Sequence, residues 1–143
     1  MRGSLSVDVI KVQVPLKTEY LHVLRATVGA IAGNISFNID EIMHIRIAIS
    51  AVFDMLLNNV AQRKLATEVV EVAVQFAIQP EKIEILITHQ SDYTGDFDNE
   101  EDQENLALAK SLMDELEYSV ERTSVRMTKY KSIQEAGNQD RQA

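Results

Sequence analysis

Alternation is the strongest constraint in this chain. Val70, Val72, Val74, Phe76 and Ile78 are apolar at every second position, and the same period resumes at Ile83, Ile85 and Ile87 after Gln79-Pro80-Glu81-Lys82. A period of two belongs to a strand, whose successive side chains face opposite ways. The Pro-containing interval reads as a turn, so residues 70–87 are expected to form a hairpin with one apolar face. A slip of one residue would turn that face to water, so register is strongly specified. Such a face needs a cover, and the rest of the chain must supply it.

Two helices are expected ahead of the hairpin. Thr18 is read as the N-cap of the first, with Leu21, Leu24, Val28 and Ile31 at spacings of three and four, and Gly33-Asn34 as its stop. Asn38 followed by Glu41 reads as the capping box of a second, longer helix. Its buried stripe is Ile42, Ile45, Ile49, Val52 and Leu56. Before them, Ile10, Val12 and Val14 alternate with Lys11 and Gln13 as a strand ended by Pro15. After the hairpin, 92–104 is polar and acidic and is expected to be a surface loop. Leu106, Ala109, Met113 and Leu116 then predict a third helix, and 118–120 and 125–130 two short strands. Segregated helices and hairpin-linked strands predict an α+β two-layer sandwich, a mixed, mostly antiparallel sheet with helices on one face. One domain over 5–131 is expected, with a flexible tail over 132–143.

Charge narrows the function classes. The chain has 143 residues with 14 Lys and Arg against 22 Asp and Glu, and no Cys. Disulfide frameworks, thiolate metal sites and cysteine nucleophiles are excluded. The acidic balance argues against direct nucleic-acid binding, which relies on cations to displace counterions from phosphates. No apolar run reaches the roughly 18 residues of a membrane span, and no signal-peptide layout is visible, so a cytoplasmic protein is expected, with no membrane partner.

At this element order the chain resembles the anti-sigma factor and serine-protein kinase branch of the GHKL histidine-kinase-like ATPases. The resemblance rests on VPLKTEYLHVLRATVGAIA, FNIDEIMHIRIAIS, AVFDMLLNNV, VEVAVQFAIQPEKIEILIT and LAKSLMDELEYSVERTSVRMTK. It implies a Bergerat-type sandwich, commonly a homodimer, that binds a sigma factor and a STAS-domain antagonist. Members of this branch bind ATP with magnesium and phosphorylate a serine of the antagonist.

Carried over residue by residue, the family's Glu, Asn and His on the second helix fall on Ala51, Met55 and Asn59 in one alignment. Neither Ala nor Met can ligate a hard cation. A second alignment, offset by three residues, assigns the catalytic role to Asp54 and the magnesium-ligand role to Asn58, one helical turn apart. The family's adenine-binding Asp and its glycines fall on DYTGDFD, where Asp92 is kept and Gly95 is one residue out of step. The glycine-rich segment before the third helix reads ENLALAKSL, and the final Gly-Thr-Thr becomes Arg122-Thr123-Ser124, leaving Thr123 for the nucleotide. These departures imply that ATP and magnesium binding is weak or lost, and that the protein sequesters a sigma factor until the antagonist releases it. The alternative is an active serine kinase using Asp54 and Asn58.

Other patterns carry less. The alternating acids from Asp96 to Glu104 lack a calcium loop's central Gly and terminal Glu. His22, His44 and His89 lie in different elements, and Arg122, Arg126, Lys129 and Lys131 are read as a solvated strand face. Seven of the 22 acids lie between Asp92 and Glu104 without a base among them, leaving 15 acids against 14 bases elsewhere. The charge is therefore local.

Overall fold

The computed structural model describes residues 7–62, 70–89, 100–119 and 124–132, with side chains 60–62 left aside. Among the described residues, five strands form one sheet: β1 (Asp8–Pro15), β2 (Glu71–Gln79), β3 (Lys82–His89), β4 (Glu115–Ser119) and β5 (Ser124–Tyr130). Their order is β1-β2-β3-β5-β4, and every described pairing is antiparallel. Three described helices cover one face: α1 (Leu21–Asn34), α2 (Ile39–Gln62) and α3 (Glu100–Leu112). The two-layer sandwich read from the sequence is the fold observed.

The hairpin fixes the register of the whole sheet. Gln79 pairs with Lys82 across Pro80-Glu81, which aligns Phe76 with Ile85 and Val74 with Ile87. β5 continues the same face, with Met127 opposite Ile85 and Val125 opposite Ile87. All six of these side chains are buried, together with Leu24 and Val28 of α1, Ile45, Ile49, Val52 and Leu56 of α2, and Leu106 and Ala109 of α3. With 24 residues, α2 is about 36 Å long, enough to cross the sheet.

Local signals sort into those that held and those that another contact displaced. The capping box is present: Asn38 N–H donates to Glu41 Oε1 at 2.8 Å and Glu41 N–H to Asn38 Oδ1 at 2.7 Å. Thr18, by contrast, opens a 3₁₀ turn over Thr18–Tyr20, and α1 begins at Leu21 with no side-chain cap. Helix α1 ends at Asn34 as expected, yet neither Gly33 nor Asn34 supplies the left-handed residue. Ser36 does, at φ 66°, while Ser36 N–H bonds Gly33 O and Phe37 N–H bonds Ala32 O. That pair of bonds is a Schellman stop, and burial of Phe37 beside Ala32 places the left-handed position there.

The largest departure concerns the acidic stretch. Helix α3 starts at Glu100, so Glu100, Glu101 and Asp102 form its first turn instead of a loop. Carboxylates at a helix N-terminus interact favourably with its free N–H groups and dipole, which favours this start. At the other end, Leu116 belongs to β4, opposite Met127, because Asp114 N–H has already turned to Thr128 O. Val120 lies outside the described residues.

Candidate functional site

The far end of α2 meets the first turn of α3. Asn59, one turn beyond Met55, is buried, and its Nδ2 donates to Met55 O at 2.7 Å and to Asp102 Oδ2 at 2.9 Å. Asp102 is fully enclosed. Its neighbour Glu101 accepts from Asn58 Nδ2 at 2.9 Å at the solvent-facing rim. Consecutive amides of α2 thus engage consecutive carboxylates of α3. Beside them lies an open recess of about 600 Å³, lined by Thr18, Asp54, Leu57, Asn58, Glu101, Glu104 and Asn105.

The two alignments of α2 separate on burial. Ala51 and Met55 lie in the core, 4% and 0% exposed. Asp54 is exposed and Asn58 half-buried, and both line the recess. The recess therefore brings together Asp54 and Asn58, the pair to which the alternative kinase reading assigns the catalytic and magnesium-ligand roles. Asp92, Gly95 and Thr123 lie outside the described residues.

The chemistry of the recess has a clear sign. Asp54, Glu101 and Glu104 contribute carboxylates, Asn58 and Asn105 carboxamides, and no Lys or Arg is among the described lining residues. Oxygen donors of this kind suit a hard divalent cation such as magnesium, which takes one or two carboxylates alongside water or phosphate. They do not suit an uncompensated triphosphate, whose charge they repel. The described lining thus offers oxygen donors and no cation. Among the described residues, no three His, Asp or Glu side chains converge as a complete metal cage.

A second cluster joins the opposite end of α2 to the sheet. Ser132 donates from its N–H and its hydroxyl to Glu41 Oε2, the N–H at 2.6 Å. Burial raises the Glu41 pKa, but the Ser132 hydroxyl, the Asn38 and Ser132 N–H groups and the Lys129 charge outweigh it, so Glu41 titrates below its ordinary value. Lys129 is only 9% exposed and donates to Leu112 O at 2.7 Å, with His44 Nδ1 3.3 Å away. The expected solvated basic face is corrected here: Lys129 shares the helix-covered face with Val125 and Met127 and neutralises the C-terminal end of α3. Arg126, on the other face, is exposed as expected.

Sequence reasoning missed the Asn59–Asp102 contact, although a signal was present. Stepping back four residues from Leu106 along the buried stripe of α3 lands on Asp102.

No family model matches the chain. Curated relatives do. The serine-protein kinase RsbW of Bacillus pumilus (strain SAFR-032) is 28% identical over 145 residues, covering 87% of this chain and 87% of that protein. The serine-protein kinase RsbW of Bacillus velezensis is 27% identical over 147 residues, covering 89% and 88%. That of Bacillus cereus (strain Q1) is 29% identical over 90 residues, covering 63% and 53%.

Proposed function

We infer that the chain is a member of the anti-sigma kinase branch of the GHKL family and acts as a regulatory protein in a serine-kinase-linked switch. The observation that carries this is the relation to serine-protein kinases along nearly the whole chain, on a sandwich of the architecture the branch implies. Its partners in this reading are a sigma factor and a STAS-domain antagonist, and it works as a homodimer. The names of the relatives favour phosphate transfer, with Asp54 orienting the serine hydroxyl and Asn58 holding magnesium beside it. Both side chains line one recess, which supports that assignment.

A second reading, sequestration of the sigma factor without transfer, is supported by the apolar Ala51 and Met55 and by the carboxylates that line the recess. One experiment separates them. The purified protein is incubated with radiolabelled ATP, magnesium and a STAS-domain antagonist. In the kinase reading label reaches an antagonist serine, and Asn58→Ala abolishes transfer while the circular dichroism spectrum is unchanged. No label from the unmutated protein, together with a stable complex with a sigma factor, establishes sequestration instead. Failure to bind either partner overturns the regulatory reading as a whole.

A further inference from the structure

Beside the start of α2, away from Asp54 and Asn58, four segments meet around a second recess of about 400 Å³. The start of β1 contributes Asp8, and the link between α1 and α2 contributes Ile35 and Ser36. The hairpin adds Ile78, Gln79 and Pro80, and Lys131 follows the end of β5. The wall is therefore apolar over three residues and carries one carboxylate and one ammonium. Asp8 and Lys131 form no ion pair with each other, and among the described residues the side chains of Asp8, Ser36, Gln79 and Lys131 are engaged in no hydrogen bond. Ser36 adds a second, independent observation. It holds the left-handed region at φ 66°, where glycine sits without strain, and its side chain lines the recess. A side chain kept at a strained position points to a use for that side chain.

We propose that this recess binds a free amino acid with an apolar side chain, its ammonium on Asp8, its carboxylate on Lys131 and its side chain against Ile35, Ile78 and Pro80. Opposite charges on one wall favour a zwitterion, because a ligand of single charge is attracted by one of the two groups and repelled by the other. Ser36 and Gln79 supply further donors and acceptors for the polar end. An apolar wall with a few polar groups is the usual make-up of a small-molecule site. Occupancy ties the four segments together and stabilises the folded chain by mass action. The inference is independent of the proposed function, which concerns the other recess.

The full chain is titrated with L-leucine by calorimetry while its amide resonances are followed by NMR. Heat of binding, with shifts concentrated at Ser36, Gln79 and Lys131 and absent from Asn58 and Asn105, is the expected result. Isocaproate, which lacks the ammonium, and isoamylamine, which lacks the carboxylate, are each expected to bind about tenfold more weakly. Asp8 is exposed and Lys131 half-buried, so Asp8→Asn and Lys131→Gln are expected to fold and to weaken leucine binding by a similar factor. Ser36→Gly is expected to weaken it too. Absence of binding overturns the proposal. Equal affinities for leucine, isocaproate and isoamylamine also overturn it, because apolar contact alone then accounts for the binding. Shifts centred on Asn58 and Asn105 overturn it by placing the ligand elsewhere. The comparison of ligands uses the unmutated protein, so it decides the matter whether or not a variant folds. Phosphate transfer enters none of these readouts, so failure of this site and failure of the functional reading are distinguishable.

Discussion

Ser36 and Glu41 show how single residues fix the passage from α1 to α2. Ser36 holds a left-handed conformation that costs a residue with a Cβ roughly 1–2 kcal/mol. Ser36→Gly is therefore expected to stabilise the protein by about 1 kcal/mol in urea unfolding, less the entropy glycine adds to the unfolded chain. Glu41 completes the capping box and receives Ser132, so Glu41→Ala is expected to cost about 2 kcal/mol. Its native pKa lies below the ordinary 4.5, so the charged form is the one the fold prefers. That contribution is complete above pH 4.5 and is lost as pH falls through the lowered native value. Glu41→Gln is expected to flatten this acid limb and to lower stability at neutral pH, measured by urea melts across the range.

At the level of elements, the outcome of each sequence signal follows from what else competes for the same residues. The hairpin was legible because alternation, turn chemistry and burial agree at every position from Val72 to Ile87. The capping box was legible because it is closed within four residues. The start of α3 was not, because acidity was read as solvent exposure, while the carboxylate of Asp102 finds its donor on a helix 43 residues away. Asp54 and Asn58 were legible as neighbours one turn apart; the recess they share depends on Glu101, Glu104 and Asn105 of another element. Neighbouring amides on α2 should then differ sharply. Asn59→Ala, which leaves Asp102 without this donor in the interior, is expected to cost about 1–3 kcal/mol in urea unfolding. Asn58→Ala at the rim is expected to change stability by less than about 0.5 kcal/mol.

For the molecule as a whole, two described groups, His89 and Glu41, lower stability in turn as pH falls. His89 is 6% exposed at the end of β3, and burial pushes its imidazole below the ordinary 6.5. The native state therefore holds it neutral while the unfolded chain takes up a proton, so the contribution of His89 to stability is complete above pH 6.5 and is lost as pH drops from there towards the native value. His89→Gln is expected to remove the upper of the two steps and leave the Glu41 step in place. The same sheet also carries a consequence for the order of folding. β2 and β3 pair through a two-residue connection, whereas β1 must find β2 across both α1 and α2, with Val14 opposite Val72. Loop closure over such a span is paid before its contacts form, which delays the pairing. The hairpin is therefore expected to belong to the folding nucleus, with β1 pairing late. Val74→Ala should slow refolding, while Val12→Ala should chiefly speed unfolding, so the two ends of one sheet would be told apart by kinetics alone.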